Sequence, residues 1–421
     1  MTLTEPVPTE TADREASPAA PYTTIPADWR AGRSHHAYRE YLDPEFVPDF
    51  DAWRGEYKNP YKDLGDKRKL RNWDNEMRNA QQEADGIAAE VVFPNTVPPF
   101  FPSFVLFAKP PTDEEYRHRH AGVTAHNRWL VDWCNEYPER RAGVGQIFLN
   151  DVDDAIADVR WIKENGLRGG ILLPNIAPDV KWVKPLYDRC YDPLWQVLQD
   201  LEVPINIHSG SGNPDYGPYP VSMLLYINEV PFYTERPLVQ LILSGVFERF
   251  PRLKVVLTEA GCAWVPPLLE RLDTNIRSIR DTGATGEIRY GADHILPKDA
   301  TEYFHQNVWM GVSQPRQADA DARHIIGLDK FMWGSDYPHD EGTYPYTREN
   351  LRARFSDAPE AEMRKILAGN AAEMYGFDLD ALAPLAARIG PTVEEVARPI
   401  GGVPDKSLER ISGDMDASAI K

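Results

Sequence analysis

Cysteine is scarce in this 421-residue chain: Cys134, Cys190 and Cys262 are the full complement, and no CxxC spacing occurs. That argues against a disulfide framework and reads as reduced, mostly buried thiols of a cytoplasmic protein. Positive charge is also in deficit. Lys and Arg number 46 against 65 Asp and Glu, a net charge of −19, and no basic run interrupts the acidity. Nucleic acid is thereby disfavoured as a main partner, because binding phosphates needs basic patches. The acidity reads as a soluble, self-repelling surface. No apolar segment approaches ~20 residues, so neither a transmembrane helix nor a membrane partner is expected. The N-terminus has no basic region followed by an apolar stretch, so no signal peptide is visible. No internal repeat of fixed period occurs.

The composition that is present suits a folded enzyme-sized body, with 42% hydrophobic residues and 11 Trp, enough to bury a large core. Residues 1–21, rich in Pro, Thr, Ala and Glu, read as a flexible N-terminal tail, and 398–421 as a polar C-terminal tail. The stretch 22–397 between them alternates short β-rich runs with longer helical ones. Strands are predicted at Tyr22–Ala27, Ile87–Phe93, Ala142–Phe148, Leu167–Leu173, Val203–Ile207, Leu253–Leu257, Asn307–Val312 and Lys330–Trp333. Helices are predicted over Asp151–Asn165, Trp264–Asp273 and Ala361–Met374. This alternation predicts an α/β fold, a distorted (β/α)8 TIM barrel. Its first two βα connections are unusually long, at 29–86 and 94–125. They are rich in Pro and aromatics such as Tyr57, Pro60, Tyr61, Phe100, Phe101 and Phe104, which could wall an apolar pocket or simply pad the surface.

Three predicted strands end in the same way. An apolar run stops at small residues and delivers a polar side chain: His208 before Ser209-Gly210, Glu259 before Ala260-Gly261, and Asp336 after Gly334-Ser335. Imidazole and carboxylates converging at one barrel mouth suit a divalent metal with an open position for water. Asp336 is placed to act as a general base. His339, three residues on, could orient that carboxylate or meet substrate. A lone strand-end His is more often structural; the three together point to a site.

These segments resemble the amidohydrolase superfamily, in the amidohydrolase 2 branch that contains aminocarboxymuconate-semialdehyde decarboxylase-like enzymes. The resemblance rests on Glu83-Ala84-Asp85-Gly86, Ala89–Thr96, Asn127-Arg128-Trp129-Leu130, Gly166–Gly170, Ile207-His208-Ser209-Gly210, Glu259-Ala260-Gly261 with Trp264-Val265-Pro266, and Trp333–His339. It implies a metal set of Asp28, His208, Glu259 and Asp336. The family opens with Asp-x-His or His-x-His, but this chain has Asp28-Trp29-Arg30, and Arg cannot ligate a metal; His35 and His36 follow nearby. Arg30 could replace a second metal, anchor a substrate carboxylate or oxyanion, or neutralise the carboxylates outright. The expected cofactor is thus one divalent ion (Zn, Fe or Mn), or none. The resemblance implies a hydrolase of a small organic amide, ester, thioester or lactone, with water activated by the metal and Asp336. Two alternatives stand beside it: non-oxidative decarboxylation of an aromatic or unsaturated acid, and a metal-free barrel with altered chemistry or a binding role. The expected partner is a small-molecule substrate, with room for a homodimer.

Overall fold

Short Val-, Ile- and Leu-rich runs become strands buried on both faces, as a parallel barrel requires. The computed structural model describes residues 19–57 and 70–404. Its parallel strands are β1 (Trp29–Ala31), β2 (Glu90–Pro94), β3 (Arg141–Gln146), β4 (Gly170–Leu172), β5 (Ile205–His208) and β6 (Val255–Thr258). A separate antiparallel pair, β7 (Ala284–Thr285) and β8 (Ile288–Arg289), precedes β9 (Val308–Ser313) and β10 (Phe331–Gly334). The eight-stranded sheet runs β1-β2-β3-β4-β5-β6-β9-β10, the distorted (β/α)8 barrel that the sequence predicts. The tails expected at 1–21 and 398–421 lie largely outside the described residues, as do Pro60 and Tyr61.

Alternation along the strands sorts the apolar side chains into two layers. Val91, Phe93, Ala142, Val144, Leu172, Val256 and Met332 pack together inside the ring, with Ala371, Met374 and Tyr375 closing its floor. Their strand neighbours Val92, Ile171, Ile205, Ile207, Leu257, Met310 and Trp333 face the helical shell. At the floor, the Tyr375 hydroxyl donates to Asn206 Oδ1 at 2.8 Å, and Asn206 Nδ2 donates to Gly169 O at 2.8 Å.

The first strand, expected at Tyr22–Ala27, pairs with β2 only from Trp29. Pro26 has no N–H to give a ladder, and the residues around it bond singly, Ile25 N–H to Leu367 O at 2.7 Å and Ala27 N–H to Trp333 O at 2.9 Å. The ring closes where Asp336 N–H reaches Asp28 O (3.0 Å) and Arg30 N–H reaches Tyr337 O (2.8 Å).

The helix expected at Asp151–Asn165 spans Val152–Glu164, with the Asp151 carboxylate accepting from the amides of Asp153 and Asp154. The one expected at Trp264–Asp273 runs on through Val265–Thr282. The long first connection lays Leu42, Phe46 and Phe50 against Ala121 and Ala125 of the helix Asp113–Asn135. All three cysteines are free; Cys134 and Cys262 are buried as expected, whereas Cys190 is exposed. No described helix is long and apolar enough to cross a membrane.

Candidate active site

The mouth of the barrel gathers every candidate residue except His35 and His36. Asp28 and Arg30 alternate on one strand, so both side chains enter the ring while Trp29, between them, stacks on Tyr337 outside it at 4.2 Å between centroids. Arg30 is 3% exposed. Its Nε donates to Asp336 Oδ1 at 3.0 Å and its Nη2 to Glu259 Oε2 at 2.5 Å, with Asp28 Oδ1 3.9 Å from Nε. Nη1 has no partner among the described residues. Burial opposes the guanidinium charge, but Glu259, Asp336 and Asp28 outweigh it and hold Arg30 protonated.

His208 is fully buried beside Phe93. Its Nδ1 lies 2.8 Å from Ser209 O, so that nitrogen carries the proton and Nε2 presents its lone pair to Asp28 Oδ1, 3.5 Å away. Burial, aided by Arg30, pulls the imidazole pKa down and keeps it neutral. Two acceptors facing each other at that distance call for a cation between them. Among the described residues, the other hydrogen bond to the Asp28 carboxylate comes from the Ser313 hydroxyl, at 2.6 Å.

Asp336 is held in three ways: by Arg30, by Gln314 Nε2 at 2.8 Å, and by His339 Nδ1 at 3.1 Å. Burial alone would raise its pKa, yet His339 and Arg30 pull it well below the usual carboxylate range. Glu259 goes the other way. Burial, Asp336 and Asp28 push it above its ordinary value against the pull of Arg30, although its side chain keeps 22% exposure. His339 Nε2 lies 2.9 Å from Asn95 Oδ1, an orientation fixed because Asn95 Nδ2 donates to Asn72 Oδ1 at 2.6 Å. Both imidazole nitrogens thus face oxygens.

The ligand atoms of Asp28, His208 and Glu259 lie within 4.8 Å of one another, as do those of Glu259, Asp336, His339 and Glu341. Asp28, Glu259 and Asp336 bring three negative charges against the single positive charge of Arg30, so the donor set fits a divalent cation. His35 is elsewhere, packed against Trp53 and Tyr57, where burial lowers its pKa to about 4. His305 is exposed on the helix Ala300–Asn307.

Three residues at this mouth escaped the sequence reading: Ser313, Gln314 and Asn95. The first two had a signal, since β9 also ends its apolar run in a polar pair. Glu259, Gln314 and Asp336, each just beyond its strand, adopt left-handed backbone angles (φ 61°, 48° and 60°). Such angles cost non-glycine residues about 1–3 kcal/mol each and persist where they aim a side chain. Gly334 allows the close approach: a Cβ there would stand 2.7 Å from Ser313 Oγ and 3.3 Å from Asp28 Cβ.

Comparison with known proteins decides the family, since the amidohydrolase profile matches residues 34–377. The chain belongs to the amidohydrolase family. A gamma-resorcylate decarboxylase of Polaromonas sp. is 27% identical over 258 residues, covering 59% of this chain and 74% of the relative. A 2-amino-3-carboxymuconate-6-semialdehyde decarboxylase of Dictyostelium discoideum is 23% identical over 312 residues, 73% of this chain and 77% of the relative. Among solved structures, the 5-carboxyvanillate decarboxylase of Novosphingobium aromaticivorans, complexed with manganese and 4-hydroxy-3-methoxy-5-nitrobenzoic acid, superposes with a TM-score of 0.61 at 20% identity. That match covers 84% of this chain and 96% of the other and shows the shared fold.

The relatives correct the reaction expected from the sequence. They are decarboxylases, hence lyases, so the hydrolase of an amide, ester, thioester or lactone gives way to the decarboxylase alternative. The physical reason lies at Arg30: a fixed guanidinium where a metal-ligand His was expected suits a carboxylate-bearing substrate better than water activation.

Proposed function

We propose that this amidohydrolase is a metal-assisted, non-oxidative decarboxylase of an aromatic acid. The observation that carries the reading is Arg30, a buried guanidinium set among Asp28, Glu259 and Asp336. Asp28, His208 and Glu259, with Asp336 beside them, would hold one divalent ion. When bound, that ion supplies Lewis-acid polarisation of the substrate's oxygens. Arg30 orients the carboxylate by charge-assisted hydrogen bonding. Loss of CO2 leaves the C–C bonding pair on the ring carbon, and that pair takes one proton. His339, 24% exposed and in contact with Asp336, is placed to deliver it and to regain one from water, while Asp336 orients the imidazole.

The test is a panel of hydroxylated benzoates, 2,6-dihydroxybenzoate among them, incubated with protein loaded with Mn2+ in D2O. Expected are CO2 release and one deuterium on the vacated ring carbon, both lost in Asp336→Asn. A panel that releases no CO2 from metal-loaded protein sinks the reading. Metal content by plasma mass spectrometry should be about one equivalent per chain, and absent from His208→Ala.

The homodimer allowed by the sequence has a suitable face here. On the helix Ser222–Leu243, Met223, Leu224 and Ile227 share one face and are each more than half exposed, and exposed apolar patches mark association sites. Sedimentation should report a dimer that Leu224→Glu with Ile227→Glu converts to monomer; a monomeric parent removes the idea.

A further inference from the structure

Beside the charged cluster lies a cavity of about 490 Å³ at the C-terminal ends of β3, β4 and β5. That volume is in the range of clefts that take drug-sized ligands. Phe101, Phe107, Phe148, Leu172 and Tyr226 give it largely apolar walls, and Phe101 and Phe107 come from the aromatic-rich second connection, for which a pocket wall was one of the roles left open. Neither Arg30, Glu259 nor Asp336 lines it, although Gly210 and Ser211, which do, follow closely on His208.

The polar lining is under-satisfied. Gln146, at the end of β3, is 1% exposed, and neither its side-chain oxygen nor its nitrogen has a hydrogen-bond partner. Arg119 is 3% exposed and its Nε is likewise unpartnered. Its guanidinium lies over Phe101 at 4.4 Å and Phe148 at 5.5 Å, and Nη2 donates to Lys109 O at 2.8 Å. The carboxylate closest in charge terms, Glu115, stands 3.6 Å from Nη1 with its side chain 50% exposed. Asn175 spends Nδ2 on Ser211 O and Tyr233 O and leaves Oδ1 unpartnered. Lys109, by contrast, is already paired with Asp179 at 2.5 Å. Buried polar groups left without partners are destabilising, so several converging on one cavity need a reason. A ligand that accepts from Arg119 and Gln146 is that reason, and the flat apolar walls specify its body.

We propose that this cavity is a second subsite, which receives the far end of an elongated aromatic acid: a flat apolar body ending in a carboxylate held by Arg119 and Gln146, while the reacting carboxylate meets Arg30. The assignment of the reacting end rests on the decarboxylase reading. The cavity itself rests only on its own unpartnered donors.

Calorimetric titration of the full-length protein with biphenyl-4,4′-dicarboxylate, biphenyl-4-carboxylate and 2,6-dihydroxybenzoate tests it. The dicarboxylate should bind about tenfold tighter than the monocarboxylate, the gain typical of a charge-assisted hydrogen bond. That advantage should vanish in Arg119→Met and in Gln146→Leu, and 2,6-dihydroxybenzoate affinity should be unchanged in both. Gln146→Leu guards against a folding artefact, since it removes an unpartnered buried amide and should leave Tm equal or higher. Equal affinities for the two biphenyls, or an advantage that survives both substitutions, overturns the subsite. Failure of the reaction reads differently: a dicarboxylate advantage with no CO2 from any acid upholds the subsite and refutes the decarboxylase. CO2 release without that advantage does the reverse.

Discussion

Two buried ion clusters meet at Arg30, whose carbonyl accepts from Arg78 of one and whose guanidinium belongs to the other, and their opposite stoichiometry separates function from structure. Near the start of β2, Glu90 is one carboxylate between two guanidiniums, bonded by Arg78 Nε at 3.1 Å and Arg141 Nε at 3.3 Å. The remaining donors are also used: Arg78 Nη1 reaches Arg30 O at 2.8 Å and Arg141 Nη1 reaches Trp133 O at 2.6 Å. Trp133 lies under both cations, 3.4 Å from Arg141 and 5.2 Å from Arg78. Among the described residues, every nitrogen of the two guanidiniums has a partner. At the mouth, Arg30 is one cation among three carboxylates, with an imidazole lone pair facing one of them. Buried charge that is complete within the chain reads as scaffold, and charge that remains in surplus reads as a site awaiting a cation and a substrate.

The comparison can be broken from either side, and the largest effect is expected at the mouth. Asp336→Asn should lower turnover about 10²–10⁴-fold with little change in Tm, because Arg30 keeps Glu259 and Asp28. Steady-state rates and thermal melts together decide this; a large fall in Tm would make Asp336 a structural residue. Glu90→Ala should do the opposite, leaving Arg78 and Arg141 without their anion and costing about 3–5 kcal/mol of stability. Denaturant unfolding measures it, and a loss near zero would remove the scaffold assignment.

Arg30→Lys comes next. It keeps the charge but gives up the planar fork, so KM for the acid should rise about tenfold or more, as loss of a charge-assisted contact predicts. An unchanged KM would mean that Arg30 only neutralises its neighbours. The smallest effect sharpens the scaffold side. Burial raises the Glu90 carboxyl, but Arg78 and Arg141 outweigh it and hold its pKa below the ordinary value. Its contribution to stability is therefore full above the unfolded-state pKa of about 4.3 and is lost as pH falls through the lower folded value. Stability profiles of Glu90→Gln should be flatter on that acid limb than those of the parent.

Much of the site was legible in the chain because strand ends are local. An apolar run that halts at Ser-Gly, Ala-Gly or Gly-Ser and delivers His208, Glu259 or Asp336 shows itself within about ten residues. Asp28 and Arg30 were legible through their alternate spacing and the family resemblance. Asn95 lies in the family segment Ala89–Thr96, but its part in the site was not legible, because its contact with His339 spans 244 positions. Nor were Arg119 and Gln146, an ordinary helical arginine and an ordinary strand-end glutamine until the fold leaves them without partners. The start of the first strand was misplaced for a related reason: residues 22–27 have β-like composition, but pairing depends on which neighbour has free groups opposite.

Local pattern by itself determined that this chain builds an α/β barrel and that its mouth carries imidazole and carboxylates. Each follows from alternation, strand-breaking residues and side-chain chemistry that no distant contact can alter. Only the tertiary structure decided how the charges pair. Arg30 and Asp336 are 306 positions apart, and Arg30 and Glu259 are 229 apart. Whether a buried charge ends up complete, as at Glu90, or in surplus, as around Arg30, is a sum over such distant partners, and that sum exists only once the ring has closed.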